Sequence, residues 1–236
     1  MSRPLRWYHA VPLVMALPVL GGAGVCGVVL VDIAQRDLIL EPVTTFSIEA
    51  DHGSVEVATL DRNGITLFYY MVGSLYDIGD TGHQVDGDTL HVFSYCIHHD
   101  NHDYCNVSWT SEIMPGTAVD VVGGAGDVKL YRTDAPATVD LRKGALDGEE
   151  LLTPSLEADV ETGEVTLEYI AAPASLELTV GEGNVLITLP AAAYRCELVT
   201  DDGDVVTDGI MCDDTATNVV HVEVEAGDIT LVPGEV

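Results

Sequence analysis

The chain has 236 residues, enough for one ordinary domain with an additional segment, and its 47% hydrophobic content can supply a sizeable core. Nine Lys and Arg stand against 39 Asp and Glu, a formal net charge of −30. Phosphate recognition needs cationic side chains and an anionic lipid surface repels such a chain, so nucleic acid is excluded as a partner, while divalent cations, basic partners or a merely solvated acidic surface are compatible.

The first 36 residues have a different character. A short N-terminus, residues 1–10, carries Arg3 and Arg6, and an uncharged run follows over residues 11–31, VPLVMALPVLGGAGVCGVVLV. A helix of that length crosses a hydrocarbon core. Cationic residues on its N-terminal side place the N-terminus in the cytoplasm and the rest outside. The expectation is a single-pass signal-anchor in the cell membrane, a linker over 32–37 and an extracytoplasmic domain over 38–236. A cleaved secretory signal ending near Gly22 and Gly24, or a lipid anchor on Cys26, are the alternatives. Each of the three exports the body of the chain.

Export decides how the cysteines are read. Beyond Cys26 four remain, as two local pairs, and an oxidising compartment favours disulfides. The simplest of the three connectivities joins Cys96 with Cys105 and Cys196 with Cys212. Closing the second loop contributes roughly 3 kcal/mol by the chain-entropy estimate.

Between Cys96 and Cys105 lies IHHDNHDY. His98, His99, His102, Asp100 and Asp103 are suitable ligand types for Zn²⁺. Nothing in the sequence fixes their geometry, and the flanking cysteines are better placed as a disulfide than as thiolate ligands. The reading is a pinned polar loop, with these five as weak metal candidates and no metal or cofactor assigned. Its histidines would change charge as pH falls through about 6.5.

The rest of the body repeats. A glycine recurs as the third of four spacers between two apolar-face positions, in GGAGDV (123–128), LRKGAL (141–146), VETGEV (160–165), VGEGNV (180–185), TDDGDV (200–205) and VEAGDI (224–229), with an earlier copy ADHGSV (50–55). The turn glycines are Gly53, Gly126, Gly144, Gly163, Gly183, Gly203 and Gly227, and from Gly126 onward their spacings are 18, 19, 20, 20 and 24. Period-2 alternation flanks the turns, as in VVHVEVEAGDITL, where Val220, Val222, Val224, Ile229 and Leu231 share a face. Each unit of about 20 residues is strand, tight turn, strand, connector, and one unit cannot bury its apolar face alone. The fold class expected is all-β, a repetitive β-solenoid with coils stacked in parallel. A sandwich of stacked hairpins is the alternative. Residues 38–110 are less regular and cap the stack or form an atypical first layer.

Several segments together resemble the DUF4097 family of bacterial "putative adhesin" domains, which are β-helix-like: GDTLHVFSYC as the opening strand, VSWTSEIMPGTAVDVVGGAGDVKLY, VLITLPAAAYRCELVTDDGDVV and the terminal HVEVEAGDITLVPG. The resemblance runs from about Gly87 to the C-terminus and more weakly back to residue 40. The chain departs from the pattern at LRKGALDGEELLTPS, where Ala145 follows the glycine. The resemblance implies an exported β-rich surface module with no agreed chemistry.

Catalytic motifs are scarce. The calcium nonapeptide pattern fails, because Asp127 follows Gly126 directly and the period is near 20. Asp201, Asp202 and Asp204 read as a solvated turn. No nucleophile elbow, phosphate loop or zinc-protease motif is present. The expectation is a non-catalytic adhesion, binding or scaffolding module of a bacterial envelope, with an envelope protein or a glycan as partner. A glycan-acting enzyme, which would desolvate a few carboxylates in a groove, and an envelope-stress sensor are the alternatives.

Overall fold

The computed structural model describes residues 30–74, 80–96 and 105–234. Residues 1–29, which hold most of the expected membrane span, and the His-rich loop 97–104 lie outside the described residues. Among the described residues, no helix is long and apolar enough to cross a membrane. The strands in chain order are β1 (Leu30–Ile39), β2 (Thr45–His52), β3 (Val55–Thr59), β4 (Ile65–Ser74), β5 (Asp80–Asp86), β6 (Thr89–Tyr95) and β7 (Asn106–Ile113). They continue as β8 (Ala118–Ala125), β9 (Val128–Tyr131), β10 (Ala137–Lys143), β11 (Leu146–Leu151), β12 (Ser155–Thr162), β13 (Val165–Tyr169), β14 (Ser175–Glu182) and β15 (Val185–Leu189). Last come β16 (Ala193–Asp202), β17 (Val205–Thr207), β18 (Met211–Cys212), β19 (Asn218–Ala226) and β20 (Ile229–Pro233).

Among the described residues these strands form two ten-stranded sheets. Sheet A has the order β1-β4-β7-β3-β9-β11-β13-β15-β20-β17, and sheet B the order β18-β16-β19-β14-β12-β10-β8-β2-β6-β5. The turn glycine sends the chain from one sheet to the other. A strand in B is followed by a strand in A, and a short connector returns the chain to B beside the previous unit. The alternating residues of both sheets face one interior and form a single hydrophobic cluster. Val220, Val222, Val224, Ile229 and Leu231 are all buried in it.

Both sequence-based architectures need correction. The hairpin alternative fails because the strands on either side of each turn glycine pair in opposite sheets. The solenoid is correct only locally. From β8 to β15 the units stack in parallel and in chain order. At both ends that order breaks, so the fold is two mixed sheets and not a closed solenoid. The chain's last unit, β19/β20, sits between β14/β15 and β16/β17. The physical reason lies in the connection. Gly203 and Gly227 are 24 apart rather than about 20, and the extra length lets the chain pass the β16/β17 layer and return inside it. At the other end, β2/β3 is followed by an excursion through β4 and β5 before β6/β7 returns to pair outside it. The additions β1–β4, β4–β7 and β5–β6 are antiparallel. β1 also takes up residues 30–31 of the expected span and the whole of the expected linker 32–37.

The turn glycines stack into one column. A Cβ on Gly53 would meet the Val107 carbonyl oxygen at 2.1 Å, and one on Gly126 the Gly53 oxygen at 2.2 Å. The column continues from Gly144 onto Gly126 (2.2 Å), Gly163 onto Gly144 (1.7 Å), Gly183 onto Gly163 (1.8 Å), Gly227 onto Gly183 (2.0 Å) and Gly203 onto Gly227 (2.0 Å). Its order repeats the spatial order of the layers. The residue after the glycine links layers as well: Asp127 Oδ1 accepts the Ala145 N–H at 2.9 Å, Asn184 Oδ1 the Asp228 N–H at 2.9 Å, and Asp228 Oδ1 the Asp204 N–H at 2.8 Å. The layer with Ala145 keeps its turn, and its irregularity falls later. The β11–β13 register shifts between Gly148 and Leu151, and Glu150 takes φ 50°. Gly148 leaves the space that Leu151 occupies, since a Cβ there would meet Leu151 Cδ1 at 2.7 Å.

Candidate binding face

The two outer surfaces are chemically unlike. On sheet A three cations lie beside carboxylates: Lys129 on β9 pairs with Glu149 on β11, Arg132 with Glu150, and Arg62 with Glu112. The hydrogen bond from Lys129 to Glu149 raises the lysine's pKa above its ordinary value. Towards the far end of this face the outward residues become apolar, with Leu186 and Val206 exposed.

Sheet B presents rows of carboxylates. Alternation sets them there, because the inward register is filled by Val and Leu and the other register must face water. One row runs Ser47, Asp120, Thr138, Glu157, Glu177, His221, Glu197 across seven adjacent strands. The next runs Phe93, Glu49, Val122, Asp140, Asp159, Thr179, Glu223. Glu157 therefore stands directly beside Glu177, and Asp140 beside Asp159. Like charges at such positions destabilise a sheet, so fold stability does not account for the pattern. Relief is local: His221 Nδ1 lies 3.2 Å from Glu197 and its Nε2 3.2 Å from Glu223, and Arg195 pairs with Glu197. Among the described residues no Asp, Glu, Lys or Arg is buried.

At the β6 end, this face is notched. Gly124 occupies an outward position on β8, between Asp51 of β2 and Arg142 of β10, and leaves a gap one strand wide. An open depression of about 230 Å³ results, lined by Glu49, Asp51, Tyr95, Val122, Gly124, Asp140 and Arg142. Tyr95 donates its hydroxyl to Glu49 Oε2 at 2.8 Å, and its ring stacks on Phe93 with centroids 5.7 Å apart. That hydrogen bond raises the phenol's pKa. Sequence reading missed this group. The usable signal was Gly-Gly at 123–124, where the alternation calls for an outward side chain.

The disulfides join the expected pairs. Cys96 and Cys105 close the base of the loop 97–104 with Cα atoms 5.7 Å apart, and Cys196 and Cys212 tie β16 to β18 at 5.5 Å. His98, His99, Asp100, His102 and Asp103 lie outside the described residues. Among the described residues no group of three or more His, Cys, Asp or Glu could hold a metal ion. Asp201 and Asp202 at the end of β16 and Asp204 in the turn that follows are exposed.

No family model matches the chain. Nor does any curated protein. Solved structures do. The fold is similar to that of a "putative cell adhesion protein" from Clostridium sporogenes, with TM-score 0.52 and 9% identity over 86% of this chain and 100% of that one. A "putative adhesin" from Bacteroides fragilis follows with TM-score 0.47 and 14% identity, covering 85% and 97%. A "putative lipid binding protein" from Parabacteroides distasonis gives TM-score 0.43 and 12% identity, covering 85% and 96%. At such identities, the first of these establishes a shared fold with a bacterial protein and nothing finer.

Proposed function

We propose that this chain is a non-catalytic binding or scaffolding module of a bacterial envelope, related to adhesin-type DUF4097 domains, held to the membrane through residues 11–29 with its β body outside the cytoplasm. The observation that carries the reading is the state of the carboxylates. They stand in exposed cross-strand rows on the outer face of sheet B, several beside like charges, and none of those described is buried. Hydrolysis by paired carboxylates works by giving one of them a raised pKa in a desolvated site. A flat row of solvated carboxylates instead offers a broad surface for recognition and steering. Two disulfides agree with an oxidising compartment. The name of the Clostridium sporogenes protein points the same way.

The test is topological. The full chain is expressed in a bacterium with a reporter enzyme active only outside the cytoplasm fused after residue 236, and membranes are washed with alkaline carbonate. The expected result is an active reporter that stays with the membrane and is released in active form when residues 1–29, which precede β1, are replaced by a cleavable signal. An inactive reporter, or an active one washed off the intact chain, contradicts the proposal.

A further inference from the structure

We infer that the depression at the β6 end of sheet B is a binding site for one ring of an uncharged glycan. The inference deepens the proposed binding function and rests on it. Four features converge. The first is the depression itself: Gly124 contributes no side chain to its lining, and a Cβ there would meet the Asp51 backbone carbonyl oxygen at 2.3 Å, so no larger residue fits between the strands. The second is a flat apolar surface. Tyr95 is 41% exposed, backed by Phe93 and fixed by its hydrogen bond to Glu49, while Val122, also 41% exposed, forms the floor. Amphipathic rings of this kind cover apolar C–H surface and hydrogen-bond at the edge. The third is a set of acceptors. Glu49 and Asp140 flank Val122 on neighbouring strands, so they stand two strand spacings apart, about 10 Å, a span that a pyranose with hydroxyls at opposite sides can bridge. The fourth is Arg142, whose guanidinium forms no ion pair among the described residues and supplies a planar fork of donors.

Charge selects the ligand class. Glu49, Asp51 and Asp140 repel an anionic sugar or a phosphate. The same carboxylates attract the ammonium or guanidinium group of a basic peptide, but such a group finds no acceptor partner in Arg142 and leaves that guanidinium unpaired. A ligand that both donates and accepts hydrogen bonds, carries no charge and has an apolar face satisfies every lining group. Hydroxyl-rich sugars have that chemistry. The site is open and shallow, so a single ring should bind with a dissociation constant in the millimolar range, about 4 kcal/mol, and an extended glycan lying along the sheet would gain from further contacts.

The experiment uses the full chain in a detergent without a sugar headgroup. Maltohexaose, cellohexaose and the hexamer of N-acetylglucosamine are tested by saturation-transfer NMR, with titration of any that bind and hexalysine as competitor. The expected result is binding of at least one hexamer, weakened about tenfold or more by Y95A and by R142A, unchanged by E168Q on the outer face of sheet A, and unaffected by hexalysine. Circular dichroism confirms that the exposed-site variants remain folded. Overturning results are no binding by any of the three, binding indifferent to Y95A and R142A, or displacement by hexalysine, which would assign the depression to basic peptide. Cleavage of a bound hexamer would keep the site and overturn the non-catalytic reading. Absence of binding would overturn the site and leave that reading standing.

Discussion

Replacing Gly163 by Ala separates two reasons for a glycine. Gly163 lies mid-column, and its φ is outside the left-handed region. On backbone preference alone, Ala there would restrict the unfolded chain and stabilise the protein by about 0.4–1 kcal/mol. The structure requires the opposite sign. The new Cβ would lie 1.7 Å from the Gly144 oxygen and 2.7 Å from its carbonyl carbon, whereas ordinary contact begins at 3.4 Å. The layers must therefore part by more than an ångström at the turn. Two backbone bonds between them, Gly144 N–H to Thr162 O at 3.0 Å and Leu146 N–H to Glu164 O at 2.9 Å, take the strain. Each is worth about 0.5–1.5 kcal/mol, and overpacking adds about 1–3 kcal/mol. The expected loss is about 2–6 kcal/mol, a sizeable part of a typical domain's stability. G116A is the control. Gly116 has φ +76° with nothing within 4 Å of a Cβ, so only left-handed strain acts, at about 1–2 kcal/mol. The assay is urea unfolding of the full chain followed by circular dichroism and by the fluorescence of buried Trp109. A G163A variant as stable as the native chain, or less destabilised than G116A, would refute the column.

Tyr169 is buried with its hydroxyl lacking a hydrogen-bond partner among the described residues. Y169F should therefore stabilise by about 1 kcal/mol, read by the same urea titration. Burial also raises the Tyr169 pKa. Above pH of about 10 the unfolded chain loses a proton that the folded chain keeps, so stability falls with rising pH, and in Y169F that alkaline loss should shrink. Opening the Cys196–Cys212 bridge with C196S/C212S should cost about 3 kcal/mol, with hydrogen exchange accelerating in β16–β18 while β8–β15 stay protected. Because Glu157 stands beside Glu177 and Asp140 beside Asp159, 1 M NaCl, which shortens the screening length from about 10 Å at 0.1 M to about 3 Å, should raise the unfolding midpoint, and E157Q should raise it at low salt by about 0.2–1 kcal/mol.

Local chemistry was legible where one side chain carries one constraint. Val220, Val222 and Val224 alternate because one face meets the core, and the two cysteine pairs are near in sequence and joined in space. The glycine turns were also visible, because their period is short. Stacking order was not, because parallel pairing between layers is non-local and any repeat can pair with any other at similar local energy. The one clue is the 24-residue step from Gly203 to Gly227, whose extra length does not by itself place β19 between β14 and β16. β1 was hidden for another reason. Leu30 and Val31 continue an apolar run, and the short alternation of Ile33, Gln35 and Asp37 gives no strong inward face, so only pairing with β4 reveals a strand. The depression at Tyr95 joins β6, β2, β8 and β10, whose residues span Glu49 to Arg142, and no local pattern announces it.

The outer face of sheet B is expected to meet a partner in the envelope. Carbodiimide labelling of carboxylates, read by mass spectrometry on the full chain in intact envelopes and again after purification, tests this most directly. Asp140, Glu157, Asp159, Glu161, Glu177 and Glu223 should label less in the envelope than in the purified chain, while Asp147, Glu149 and Glu168 on sheet A label equally in both. Equal labelling of the sheet B rows in the two states, or protection confined to sheet A, would contradict it.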